Sequence, residues 1–265
     1  MMNATTKDST RNDTGIVWKD EALSNPHGDA EKADKVRSMF AAIAKSYDLN
    51  NHLHSLWRDQ AWRRFAVKTA SVRTGDHIAD IACGTGDLSE AFASRSQAAQ
   101  VIGIDFTPQM LEIARFKRDR KPERFGSTPI EYKQGDAQAL ELDDSSIDVL
   151  SIAFGIRNVQ EPKKAIADFA RVLKPNGRLV ILEFGTPPNP LVRAFNSWYS
   201  GWLMPRTATL ISRDRSGAYR YLPRSVTSFM SKDEMVAAIR EAGFKDVSVK
   251  PLSMGICVCY RAVRE

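Results

Sequence analysis

Between His77 and Ser89 the chain reads His-Ile-Ala-Asp-Ile-Ala-Cys-Gly-Thr-Gly-Asp-Leu-Ser, a string that few folds accommodate. Ile78 to Ile81 is a short apolar run of the kind a buried parallel strand shows. Gly84 and Gly86 interrupt it, and Leu88, Ala91 and Phe92 then follow at helical spacing. A backbone that turns sharply beneath a ligand has no room for a Cβ, so glycine fits there. The helix that follows offers unpaired N–H groups at its first turn, which suit an anionic or polar group. Val101-Ile102-Gly103-Ile104-Asp105 forms a second apolar strand ending, nineteen residues after Gly86, in a carboxylate. At that tip the carboxylate is placed to accept both hydroxyls of a ribose. The two stretches together read as a nucleoside-cofactor site.

Details choose the cofactor. A dinucleotide fingerprint asks for a third glycine, where this chain has Ser89, and it has no acid ahead of the first glycine, where this chain has Asp80. The run Asp80-x-Ala82-Cys83-Gly84-Thr85-Gly86 resembles motif I of class I S-adenosylmethionine (SAM) methyltransferases, with Ala82 where that family usually has its first glycine. The resemblance implies SAM rather than NAD as the cofactor.

The rest of the chain supplies a frame for such a site. Ile130 to Ala137, a strand running into a turn, Ile147 to Phe154 and Arg178 to Phe184 read as further strands. Helical patterns opened by Thr107-Pro108 and Glu161-Pro162 separate them. This alternation predicts an α/β, doubly wound, mostly parallel sheet. Lys174-Pro175-Asn176-Gly177 is expected to stop one helix, and a Ser231-x-x-Glu234 capping box to start the last. Two final strands, Asp246 to Pro251 and Gly255 to Ala262, close the chain, the last expected to run antiparallel. Ligands bind outside the carboxyl ends of such strands, so Ala153 to Asn158 should line the site. Asp136 and Ala137 follow the third strand, where a methyltransferase would hold adenine, although Gly135-Asp136 reads equally well as a simple turn.

Outside that frame, residues 1–30 are polar and are expected to form a disordered tail ahead of a single domain, 31–265. Glu31 to Tyr47 has the spacing of an amphipathic helix, expected to end at Asn50-Asn51 and to serve either as a packing helix with a polar C-cap or as a cap over the site with Tyr47 and Asp48. Trp57 to Ala70 pairs tryptophans with Arg58, Arg63, Arg64 and Lys68, which reads as a solvated basic face or a helix lying on lipid. Residues 187–229 hold seven aromatics, six arginines and one acid, Asp214, and read as an insertion forming a substrate or membrane lid. A net charge of +6 favours acidic surfaces as partners, nucleic acid or an anionic membrane. Cys83, Cys257 and Cys259 make no disulfide framework and point to a reducing, cytoplasmic setting. The four histidines have no ligand spacing, so no metal is expected.

Several words of the chain are similar to those of the UbiE/COQ5 family of quinone-ring C-methyltransferases. They are Phe40-x-x-Ile43-Ala44-x-x-Tyr47-Asp48, Phe154-Gly155-Ile156-Arg157-Asn158, Tyr219-Arg220-Tyr221-Leu222, Arg171-Val172-Leu173-Lys174-Pro175-Asn176-Gly177 and Ala242-Gly243-Phe244, besides the glycine motif. The resemblance implies a class I Rossmann-like fold and SAM-dependent methylation of a polyprenylated quinol in menaquinone or ubiquinone biosynthesis. It puts cofactor contacts on Asp80, Gly84, Thr85, Gly86, Asp105, Asp136 and Ala137, with Ala153 where the family usually has serine. Arg157 is expected either to stabilise a forming phenolate, with Asn158 and Tyr47 assisting, or to make a structural salt bridge within its loop. It further implies peripheral membrane association, no nucleic-acid partner, and a homodimer or biosynthetic complex as open alternatives. Two rival readings are a methyltransferase of another small phenol, sterol or nucleic acid, and a non-catalytic basic nucleic-acid-binding module.

Overall fold

The computed structural model describes residues 17–265 except 19, 121, 213 and 215. Its strands are β1 (His77–Ile81), β2 (Gln100–Asp105), β3 (Ile130–Gln134), β4 (Ile147–Ala153), β5 (Leu173–Phe184), β6 (Phe244–Leu252) and β7 (Cys257–Arg264). They form one sheet in the order β3-β2-β1-β4-β5-β7-β6. The first five are parallel, and β7 runs antiparallel to both of its neighbours. The order turns back between β1 and β4, which opens a crevice at their carboxyl ends.

The helices are α1 (Asp20–Ser24), α2 (Lys32–His54), α3 (Arg58–Ala70), α4 (Asp87–Arg95), α5 (Pro108–Arg120), α6 (Pro162–Val172), α7 (Pro190–Trp198), α8 (Met204–Ser212), α9 (Ala218–Thr227) and α10 (Lys232–Glu241). A π-helical stretch, Tyr199–Leu203, joins α7 to α8. Helices cover both faces of the sheet, so β1 and β4 are apolar on both sides and lose the alternation of a half-exposed strand. One core holds Phe92, Leu111 and Val149, and the other holds Leu150, Ile166, Phe169 and Ile239. A third, separate core joins α2 to the insertion through Met39, Ile43, Ala208, Tyr219 and Tyr221.

Three sequence expectations change. Residues 1–16 of the expected disordered tail lie outside the described residues, but Trp18 and Leu23 within that tail are buried. Trp18 is fully buried and stacks on Tyr221 with ring centroids 4.2 Å apart. A tryptophan among polar neighbours thus finds its apolar partner far along the chain. The helix expected to end at Asn50-Asn51 continues to His54, because Asn50 turns inward and its Nδ2 donates to Tyr219 Oη at 2.8 Å. The expected stop at Lys174–Gly177 is a bulge within β5: the pairing steps from Leu173 opposite Ile147 to Arg178 opposite Val149.

Candidate active site

The site grows from the turn after β1. Ala82, Gly84 and Gly86 all have positive φ, at 50°, 56° and 86°. The two glycines serve different ends. A Cβ on Gly86 would come within 2.3 Å of Tyr132 Oη, whereas one on Gly84 would meet nothing within 4 Å, because it faces the open cleft. Ala82 holds a left-handed conformation that costs an L-residue roughly 1–2 kcal/mol, which accounts for the glycine usual there. Asp105, at the end of β2, tightens the turn: Gly84 N donates to its Oδ2 and Thr107 N to its Oδ1, both at 2.8 Å. Burial raises the Asp105 pKa, opposed by those two amides.

A cleft opens here at the carboxyl ends of the parallel strands, where ligands of such sheets bind. Gly84 and Asp105 form its floor, with Asp136 and Ala137 on one side and Ala153 and Phe154 on the other. The roof is α2, which contributes Val36, Phe40 and Tyr47. Asn158 completes the wall near Tyr47. Gly84, Asp105, Asp136, Ala137, Ala153, Tyr47 and Asn158 are therefore brought together as the sequence implies. An open glycine cradle beside a buried carboxylate fits the ribose and chain of a nucleoside cofactor.

Four expected residues stand elsewhere. Asp80 is buried beneath the cleft, accepting from Ser89 Oγ at 2.6 Å and Ser151 Oγ at 3.0 Å. Burial lifts its pKa to about 6 despite both bonds. Ser89, where a dinucleotide site would have glycine, is thus the tie that joins α4 to β1. Thr85 is also buried, and its Oγ1 donates to Asp48 Oδ1. Gly86 caps α4 and is crowded by Tyr132.

Arg157, the fourth, is the largest change. It is 3% exposed, and its Nη1 donates to Glu183 Oε1 at 2.6 Å and to the Phe154 carbonyl at 2.7 Å. Its Nε donates to Ser225 Oγ at 3.3 Å, and its guanidinium lies over Phe184. Arg157 sits behind the cleft wall with its charge already paired, so it braces Phe154 and does not face a phenolate. A buried arginine in a loop needs such a carboxylate, and Glu183, an apparent outlier in an apolar strand, is that partner.

Residues 29–264 match the ubiE/COQ5 methyltransferase family. The chain belongs to that family. A relative from Geobacter sp. named ubiquinone/menaquinone biosynthesis C-methyltransferase UbiE is 40% identical over 233 residues, covering 87% of this chain and 97% of its own. A demethylmenaquinone methyltransferase from Clavibacter sepedonicus is 37% identical over 235 residues, covering 89% and 92%. Among solved structures, a SAM-dependent methyltransferase from Aquifex aeolicus aligns with a TM-score of 0.55 at 17% identity, covering 77% of this chain and 89% of that one. This likeness shows the class I Rossmann-like fold.

This ubiE/COQ5 chain also holds residues that sequence reasoning missed. Tyr221 Oη donates to Asn158 Oδ1 at 3.0 Å, so the Tyr-Arg-Tyr-Leu word clamps a wall residue from the insertion. A chain of charges runs beside the glycine turn. Lys117 Nζ donates to Asp87 Oδ1 at 2.6 Å and to Asp48 Oδ2 at 2.9 Å, tying α5 to α4 and α2. His52 Nδ1 lies 2.8 Å from Asp59 Oδ2, and Arg63 Nη1 donates to the same oxygen at 2.8 Å. His52, Asp59 and Asp87 converge within 4.8 Å, which their spacing hid, but Arg63 and Lys117 already neutralise both carboxylates. Burial alone would raise the Asp59 pKa, yet His52, Arg63 and Ser55 hold it well below the usual range. The only hint in the sequence is i,i+4 spacing from Asp59 to Arg63. On α3 the tryptophans also divide: Trp62 is buried, donating to Ser253 Oγ at 2.9 Å, while Trp57 is exposed.

Proposed function

We propose that this chain methylates a ring carbon of a polyprenylated quinol, taking the methyl group from SAM, at the cytoplasmic face of a membrane. One observation carries the reading: a ribose-type carboxylate, Asp105, shares a cleft with an aromatic and amide wall of Phe40, Tyr47, Phe154 and Asn158. Asp105 would accept the ribose hydroxyls, Asp136 and the Ala137 amide would hold adenine, and Gly84 would leave room for the chain between. Bound SAM supplies an electrophilic methyl group. The protein's part is to hold a flat, electron-rich ring in line with it and to keep water out. Tyr47 suits this because burial, opposed by Arg63, Asn51 and Arg157, raises its pKa. It stays a neutral donor to a ring oxygen at physiological pH. Asn158, fixed by Tyr221, orients the ring from the other side.

The insertion supports a lipid-borne substrate. Leu191, Phe195, Trp198, Trp202 and Leu210 are exposed along α7, the π-helical stretch and α8. No acid occurs between Glu183 and Asp214, and Arg206 lies over Trp202 at 4.5 Å. Amphipathic helices with tryptophans and arginines sit at the interface of anionic membranes. Among the described residues no helix is long and apolar enough to cross a membrane. The test is to incubate the protein with SAM and a short-chain demethylmenaquinol or benzoquinol under reductant and weigh the products. A gain of one methyl on the reduced ring supports the reading. Turnover of a tail-less phenol with none of either quinol would favour the rival small-phenol methyltransferase. Equal turnover of the oxidised quinone without reductant would overturn the mechanism, since an electron-poor ring does not attack the methyl.

A further inference from the structure

The basic face expected on α3 is only partly a solvent face. Arg63 points inward and is 7% exposed. Its guanidinium lies over Phe154, 5.5 Å from the ring centroid, and Phe154 lines the cleft. One nitrogen, Nη1, is held by Asp59. Its Nε is buried and has no hydrogen-bond partner. Five buried side-chain atoms among the described residues are in that position, and this is the one that belongs to an arginine or lysine. Leaving a charged donor unmade inside a protein is costly, so such a group usually faces a ligand, water or an ion.

The other buried cations are spent. Arg157 is held by Glu183 and the Phe154 carbonyl, Arg178 by Asp76, and Lys32 donates to the Val159 carbonyl, while half-buried Lys117 is held by Asp48 and Asp87. Arg63 also keeps its charge. Burial alone would lower its pKa, but Asp87, Asp59, Tyr47 and Asp48 raise it above the ordinary value. Tyr47, which lines the cleft, is thus within electrostatic reach of Arg63.

We propose that Arg63, together with the Tyr47 hydroxyl, forms an oxyanion subsite at the end of the cleft opposite the adenine side. Asp105 marks where a ribose would be held, and a cofactor anchored there extends past Gly84 toward Phe154 and Tyr47. Two oxyanions can arrive at that end: the α-carboxylate of SAM, and the quinol oxygen that gains charge as the ring attacks. A planar guanidinium with a free N–H suits either one. The inference rests on the reading of the cleft as a SAM and quinol site.

The experiment is calorimetry on the full chain with S-adenosylhomocysteine and with 5′-methylthioadenosine, which keeps adenine and ribose but lacks the amino-acid end. It is run on the unaltered protein, Arg63→Gln and Arg63→Lys. If the subsite takes the carboxylate, Arg63→Gln binds S-adenosylhomocysteine at least tenfold more weakly and methylthioadenosine unchanged. If it takes the ring oxygen, both affinities hold within twofold, kcat for the quinol falls at least tenfold, and the rising limb of kcat moves up by about one pH unit. Arg63→Lys keeps the charge and recovers part of either loss. Should Arg63→Gln fail to bind methylthioadenosine and so prove misfolded, Arg63→Lys decides, with a loss of threefold or more on one arm expected. A folded variant with unchanged affinities and an unmoved pH profile overturns the proposal. Absence of quinol turnover by the unaltered protein would defeat the quinol reading but leave the calorimetric comparison intact.

Discussion

In β4 the side chains that reach full burial are Val149, Leu150, Ser151 and Ile152; in the helical cap they include Trp18, Lys32 and Tyr221, with Asn50 close behind. The sheet hides mainly what water rejects, with Asp80, Ser151 and Glu183 among its buried polar exceptions, and each buried apolar residue contributes about 1.5–3 kcal/mol. The cap hides what water would keep, and pairs it. Lys32 holds a carbonyl, Asn50 a tyrosine, and Asp59 both His52 and Arg63. Buried pairs of this kind return little net stability but enforce one arrangement. The difference teaches a division of labour: the sheet stabilises the molecule, and the cap fixes geometry around the cleft.

The sharpest break of that contrast is Glu183→Ala, which plants a cap-type defect inside a sheet strand. It strands the Arg157 charge, and losing one partner of a buried pair costs about 3–5 kcal/mol. Chemical denaturation should show it, and a midpoint shift worth under 1 kcal/mol would refute the bracing role. Next comes Asp105→Ala, expected to weaken SAM by roughly 1.5–3 kcal/mol for each ribose bond lost. Unchanged affinity by calorimetry would remove Asp105 from the cofactor site.

Lys32 sharpens the comparison through pH. Burial first, then Arg157, lowers its pKa from 10.5 to about 8. Between those values the unfolded chain holds more protons than the folded one, so folding strengthens as pH rises through that window. Relative to Lys32→Met, the protein should gain on the order of 2 kcal/mol from pH 8 to pH 10.5. A flat difference would mean that Lys32 is solvated, and one falling with pH that its ammonium is stabilised by the fold. Tyr221→Phe should cost about 1 kcal/mol, by leaving Asn158 Oδ1 without its donor, and should raise KM for the quinol more than for SAM. The smallest effect is expected from Trp198→Ser with Trp202→Ser: surface changes stay within about 0.5 kcal/mol in stability, yet binding to anionic vesicles should fall. Flotation unaffected by the pair would exclude this face from the membrane.

These contrasts also explain what could be read in the chain. Periodicity revealed β1 to β5 and α4 to α6 because apolar burial leaves a local trace, and Gly84, Asp105 and Asn158 were legible because motif words carry them. Asp80 and Thr85 were misjudged since motif position alone does not say whether a polar group faces the ligand or ties down the turn. Arg63, Lys32 and Glu183 were illegible for a different reason. Hydropathy rates a charge as surface, and the carboxylates or carbonyls that bury it lie on other elements; Val159 is 127 positions from Lys32.

That distance has a consequence in time. Asn50 on α2 finds Tyr219 169 positions later, and His27 finds the Ser225 carbonyl 198 positions later. At 5–20 residues per second, a ribosome takes roughly 10–40 s to deliver the missing half. Meanwhile the sheet strands β1 to β5 emerge in order and can pair. The roof of the cleft is thus fastened only after the glycine turn is in place, and a nascent chain interrupted before Tyr219 would own a complete glycine turn beneath an unfastened helix.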